Sequence, residues 1–399
     1  MNRFFQRSVF VLSLGVLVIL VAGEFGLRAV RAGSNEDGAY KQMNVYSEVL
    51  KKIQTDYVTE PNIGDVTTGA LHGLLGSLDS NSSYLTAPEY KIYKERPSGG
   101  NAGVGMKVSK RSGYAVVVSV LPDSPAEKEH FTDGDVIEAI GDESTMEMSQ
   151  AMINLKLEGK PGSQVTLSVI RPRKTDPDKV TLTRAPEAIP SLATQQYDNS
   201  TILYLKPLVL TASRVDAIAS DLKSMSKNGN KKILLDLRDV SEGNEEQGLR
   251  LANLFIKQGT LATLSGQRFP TQTFSADSSK FVTDAPLAVL INRGTAGASE
   301  LAAAALSDSK RADLVGERTF GEGSVQKTFE LPDGAALLLT VATYSAPGGK
   351  KIMEEAVTPG TLVGPTPEQE AEAEDEGTTP SKTDAPLNKA LDMLKAKAS

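Results

Sequence analysis

Residues 287–300 read LAVLINRGTAGASE: five apolar residues (Leu287–Ile291), a turn carrying Gly294 and Gly297, then a small-residue run that continues to Leu306. Strand, turn and helix follow in that order. Further strand candidates flank this unit at Thr201–Leu205, Ile233–Leu237, Thr260–Leu264, Ala312–Val315, Lys327–Leu331 and Ala335–Thr343. Helical spacing falls between them at about 211–227 and 246–257, with 298–307 completing the set. Strands alternating with helices predict an α/β layer with right-handed crossovers, closed by a hairpin at Pro332-Asp333-Gly334.

Upstream the pattern changes twice. From about 103 to 184 short strands dominate, among them Met106–Ser109, Tyr114–Val120, Val136–Ile140 and Val165–Ile170. Ser124-Pro125-Ala126 starts a short helix there and Met148–Leu157 is a second. From 40 to 95 the apolar residues Tyr46, Val49, Leu50, Ile53 and Tyr57 fall at helical spacing, as do those of Val66–Leu78. Leu78–Leu85 reads as a turn. At the N-terminus Arg3 and Arg7 precede an apolar run from about Ser8 to Gly23. That is short for a span of roughly 20 residues, so cleavage as a signal peptide and retention as an anchor both stand. Either places the remainder outside the cytoplasmic membrane.

Composition removes several classes of chemistry. The chain of 399 residues has no cysteine and only His72 and His130, which excludes thiol nucleophiles, disulfides and a histidine-built zinc site. A Ser–His–Asp triad would have to recruit one of those two, and neither lies near a nucleophile turn; His72 reads as a helix residue and His130 as part of the small helix after Ser124. Net charge is −7, nearly all of it in 365–386, where seven acids face Lys382. The near-neutral remainder offers no nucleic-acid surface. Residues 361–386 are acidic, rich in Pro and Thr, and free of aromatics, which reads as a disordered linker. Phe269–Phe281 reads as a flexible loop.

Three ordered stretches carry a family resemblance. Gly103-Val104-Gly105-Met106, followed by Ser124-Pro125-Ala126 and Asp133-Gly134-Asp135-Val136-Ile137, is similar to bacterial PDZ domains. Glycines there let backbone N–H groups converge on a terminal carboxylate, while the adjoining strand accepts a peptide by β-augmentation. With the helical pattern around Glu48-Val49-Leu50 and Ile53, and with Thr319-Phe320-Gly321-Glu322-Gly323-Ser324-Val325-Gln326, the chain resembles the C-terminal processing (tail-specific) serine peptidases. The implied fold is α+β and multidomain: a targeting segment (1–33), a helical region (40–98), a β-rich PDZ domain (99–187), an α/β peptidase-type core (188–360), the acidic linker (361–386) and a short helix (387–399).

The resemblance implies a serine nucleophile on a strand–turn–helix junction, a lysine base, a glutamine orienting it, and glycine N–H groups for the oxyanion. No cofactor or metal is implied. Here the nucleophile position is Gly297, the lysine position is Glu322, Gln326 remains, and the glycine pair reads Glu242-Gly243. An attacking oxygen, an unprotonated base and oxyanion donors are all needed. Loss of nucleophile and base costs on the order of 10⁶ in kcat, about 8 kcal/mol. The expected protein is a pseudoprotease of the cell envelope that binds C-terminal peptide segments of exported proteins at Gly103, Val104, Gly105 and Met106. An active peptidase relative, an oligomer and a membrane anchor are its other expected associations. The competing reading is an active endopeptidase in which Ser299, or Ser324 beside Lys327, has taken over, or in which Glu322 activates a water. Ser299 otherwise reads as a helix cap. A structural envelope component without a peptide ligand is a third class.

Overall fold

A computed structural model describes residues 40–95, 102–111, 113–171, 174, 176–186, 191–353, 355–364 and 384–397. The targeting segment, the Gly-rich connector before residue 102 and most of the acidic linker lie outside them. The chain divides into two units, residues 1–70 and 71–399. The first contains helix α1 (40–56), with Tyr46 and Val49 exposed, and the start of α2 (Ile63–Gly76). Among the described residues no helix is long and apolar enough to cross a membrane.

In the second unit the strand-rich part is a sheet in the order β2-β3-β4-β6-β7, with short β5 (Glu143–Ser144) beside β4. Its strands are β2 (Met106–Arg111), β3 (Tyr114–Val120), β4 (Val136–Ile140), β6 (Gln164–Ile170) and β7 (Asp178–Thr183). Helix α4 (Pro125–Lys128) begins where Ser124 caps it, accepting from the Glu127 N–H, with Pro125 in the first turn. His130 lies just past this helix at φ 59°, in a turn rather than in the helix. Helix α5 (Gln150–Leu157) packs Ile153 and Leu157 into the small core with Val108, Ile137 and Leu167.

The α/β part is a six-stranded sheet ordered β17-β14-β13-β10-β9-β8. β9 (Ile202–Lys206), β10 (Lys232–Asp236), β13 (Leu287–Ile291), β14 (Asp313–Gly316) and β17 (Thr361–Leu362) run parallel, and β8 (Ala193–Tyr197) is antiparallel at one edge. Every residue of β10 and β13 is buried. Strand periodicity of two explains this. Leu287, Val289 and Ile291 enter the core under helices α6 (Ala212–Ser224), α7 (Glu245–Asn253) and α8 (Ala298–Asp308), while Ala288 and Leu290 meet α9 (Ala385–Ala396) on the other face. Asp384 caps α9 through the Leu387 N–H, and Arg238 bridges Asp384 to the fully buried Asp236, which also accepts from the Tyr204 hydroxyl. Lys232 donates to the Leu394 and Lys397 carbonyls at the helix's other end.

A second, antiparallel sheet orders β1-β16-β11-β12, with β15 (Ser324–Glu330) also on β16 (Ala336–Ser345). Its members correct several expectations. The stretch read as a turn contains β1 (Ser83–Leu85), which pairs with β16. The expected loop 269–281 contains β12 (Gln272–Ser275), a hairpin partner of β11 (Thr260–Ser265), with Phe274 packed on the core. Residues 361–364 and 384–386, assigned to the linker on composition, include strand β17 and the start of α9.

Candidate functional site

The site grows from the turn between β13 and α8. Asn292 and Thr295 fasten that turn to the loop after β10: the Thr295 hydroxyl donates to the Leu237 carbonyl at 2.8 Å, the Asn292 side-chain amide to Asp239 at 2.7 Å, and the Ala296 N–H to Val240 at 3.1 Å. Gly297 then takes φ 59° and ψ −117°, a conformation that residues with a side chain avoid, and α8 starts at the next residue. A Cβ placed on Gly297 would have one neighbour within 4 Å, Glu322 Oε2 at 3.8 Å. Folding has thus brought the two positions that the resemblance assigns to nucleophile and base face to face.

What holds them there is Glu300, fully buried in the first turn of α8. Its carboxyl accepts from the N–H groups of Gly297 (3.1 Å), Gly321 (2.6 Å) and Glu322 (2.7 Å) and from the Thr319 hydroxyl. Burial pushes its pKa up to about 7, against the pull of those donors. One side chain therefore joins the helix N-terminus to the 319–322 loop. The spacing of Glu300, three residues after the helix-capping position, is the capping-box signal; reading the segment only as a motif missed it.

The second missed residue is Lys107 on β2. Side chains alternate along a strand, so Lys107, Ser109 and Arg111 share a face, and that face lies against the α/β part. Lys107 Nζ is 3.4 Å from Glu322 Oε1. Burial works to lower the pKa of this amine, but the carboxylates of Glu322, Glu242 and Glu245 outweigh it and the net movement is upward. Arg111 donates to the Phe320 carbonyl at 2.7 Å and lies 4.3 Å over the Phe320 ring. Next to this contact opens a cavity of about 520 Å³ lined in part by Arg111, Arg293, Arg318, Phe320 and Gly321.

The remaining expected residues divide. Gln326 donates to the hydroxyls of Ser324 (2.8 Å) and Thr340 (3.2 Å), not to Glu322. Gly243 has φ 139°, and a Cβ there would meet the Leu210 carbonyl oxygen at 2.5 Å, so this position requires glycine. The Glu242 carbonyl accepts from the Leu210 N–H at 2.8 Å, and its side chain is half-buried within reach of the Lys107 field. Ser299 is not the cap expected of it: Gly297 holds that position, and the buried Ser299 hydroxyl points at the carbonyls of Val240 and Ala296. Ser324 accepts from Asn81 at 3.0 Å as well as from Gln326. Among the described residues no group of three or more acidic or histidine side chains is arranged to hold a metal ion.

At the far side of the strand-rich part, the Gly103–Met106 loop is built from close backbone approaches. The Val104 carbonyl accepts from Ala126 and the Gly105 carbonyl from Leu121. Gly105 sits at φ 75°, where a Cβ would fall 2.2 Å from that of Ser124. The N–H groups of Val104 and Gly105 donate to none of the described residues.

Residues 102–183 match the PDZ domain and residues 201–363 match peptidase family S41. The carboxy-terminal-processing protease of Bartonella bacilliformis is 31% identical over 348 residues, covering 84% of this chain and 78% of the relative. The carboxyl-terminal-processing protease of a Picosynechococcus species is 33% identical over 330 residues, covering 82% and 78%. The chain belongs to the carboxy-terminal-processing protease family. The solved photosystem II D1 C-terminal processing protease superposes on it with a TM-score of 0.66 at 26% identity, over 80% of this chain and 92% of that one. In this member of the carboxy-terminal-processing proteases, then, the β2 face of the PDZ domain lies directly over the junction of Gly297 and Glu322.

Proposed function

We propose that this chain is a non-hydrolysing member of its family, exported to the cell envelope, which binds the C-terminal segments of other proteins through its PDZ domain. The observation that carries this is the geometry at position 297. A side chain there would lie 3.8 Å from position 322, as a nucleophile and its base must, yet the residues are glycine and glutamate. Gly297 has no oxygen to attack with, and Glu322 faces the Lys107 ammonium, not a hydroxyl. The hydroxyls that could substitute are engaged: Ser299 is buried and donates to main-chain carbonyls, and Ser324 accepts from Asn81 and Gln326. Glu242 adds an anion on the oxyanion side, opposed to the charge that hydrolysis develops. The unengaged Val104 and Gly105 N–H groups support retained recognition of a carboxylate. Export is supported by Arg3 and Arg7 ahead of the apolar N-terminal run.

The test pairs turnover with binding. The purified chain is incubated with an unfolded protein bearing an apolar C-terminus, and peptide binding is followed in parallel by fluorescence anisotropy. Binding that disappears in Gly105→Trp, with no cleavage, is the expected result. Cleavage abolished by Ser299→Ala or Ser324→Ala would overturn the proposal. The pair Gly297→Ser with Glu322→Lys asks whether the cleft is otherwise intact; Lys107→Met accompanies it, because two amines would otherwise face each other.

A further inference from the structure

Strand β2 is the outermost strand of the PDZ sheet, paired with β3 on one side only. Its free edge is where an added peptide strand would pair. That edge is partly occupied by a side chain. The amide of Gln150, the first residue of α5, donates from Nε2 to the Val108 carbonyl at 3.0 Å and accepts at Oε1 from the Lys110 N–H at 2.8 Å. Those are the donor and acceptor of one peptide group in a neighbouring strand. Nε2 also donates to Asn154 Oδ1 at 2.9 Å, which fixes the amide's orientation, since the flipped form would set donor against donor at Lys110. Gln150 is only 7% exposed. Lys110 closes the same end from the other direction, its ammonium donating to the carbonyls of Met146 (3.0 Å) and Met148 (2.6 Å) in the turn before α5.

At the opposite end of the strand the Val104 and Gly105 N–H groups are unengaged. From Met106 to Val108 is two residues, about 7 Å of strand. The geometry points to Gln150 as a clasp that limits pairing to about the last two residues of a ligand; anything longer must displace the amide. The ligand class is a peptide with a free α-carboxylate, read by its terminal residues and insensitive to what precedes them. This rests on the PDZ reading above and assigns a specificity-determining role to Gln150.

The experiment compares peptides of three and eight residues sharing the same apolar last two residues, titrated into the full chain, Gln150→Ala and Gln150→Glu. In the unaltered protein the two lengths bind alike. In Gln150→Ala the three-residue peptide is unchanged and the eight-residue peptide tightens roughly tenfold, from the main-chain bonds it can now make at Val108 and Lys110. Gln150→Glu is the second variant: it keeps the acceptor for Lys110 but has no donor for Val108, and gives a smaller gain. A tenfold preference for the longer peptide already present in the unaltered protein, or equal lengths in all three, overturns the clasp while peptide recognition stands. No binding of either length by any of the three, with Gly105→Trp indistinguishable from them, removes the receptor reading itself and the clasp with it.

Discussion

Replacing Glu300 by glutamine should change how the stability of this protein depends on pH, and by an amount that the structure sets. The Glu300 carboxyl is fully buried and its pKa is pushed up to about 7 from an ordinary 4.5. Between those values the unfolded chain has released the proton and the folded chain still holds it, so stability falls as pH rises. At 1.36 kcal/mol per pH unit the loss between pH 4.5 and about 7 is on the order of 3 kcal/mol. Below 4.5 both states are protonated and the contribution is complete; above about 7 both are ionised and the curve is level. That is a sizeable part of a net stability of roughly 5–15 kcal/mol. Glutamine in its place has no proton to lose. It introduces a constant penalty of about 1–3 kcal/mol, because its NH₂ would face the N–H of Glu322 or of Gly321 where a carboxylate oxygen now accepts. Asp133, its pKa pushed up to about 6 chiefly by burial, tilts the curve in the same direction but is present in both proteins and cancels in the difference. Urea denaturation followed by circular dichroism at half-unit steps from pH 4 to 8 is the assay. The gap between the two proteins should narrow by about 3 kcal/mol from pH 4.5 to 7. Parallel curves would refute the reasoning, and with it the view that one buried carboxyl holds Gly297 and Glu322 together.

Two further substitutions test the same frame. Gly297→Ala meets no atom closer than 3.8 Å, so its cost is torsional only, about 1–3 kcal/mol for a side chain at φ 59° and ψ −117°; a melting temperature equal to that of the unaltered protein would mean that the turn relaxes freely. Arg238→Ala strands the buried Asp236 carboxylate and releases Asp384 at the head of α9. A loss of about 3–5 kcal/mol is expected, with faster proteolytic release of a C-terminal fragment, and unchanged proteolysis counts against that role.

Much of the architecture could be read from patterns internal to single segments. Leu287–Ile291 is a strand with the same limits in sequence and structure, because an apolar run of five has few alternatives and the glycine turn behind it ends it. Residues 83–85 and 272–275 could not be read that way. Each is short, and each becomes a strand only because β16 or β11 supplies its hydrogen-bond partners. The same holds for 361–362, where composition pointed to disorder and a pairing with β14 decided otherwise.

The amino-acid sequence alone determined which atoms are present: no sulfur, two histidines, a glycine at 297 and a carboxylate at 322. The chemistry open to the molecule is bounded by that inventory whatever its fold. Only the tertiary structure decided where those atoms meet. Glu300 became the joint between two loops because burial brings four donors onto one carboxyl. Lys107 reached Glu322, more than two hundred residues away in the chain, because the pleat of β2 turns that side chain toward the α/β part. Gln150 came to lie on the strand edge because α5 packs across it. Contacts of that kind depend on the path of the chain through space, and no local spacing in the sequence encodes them.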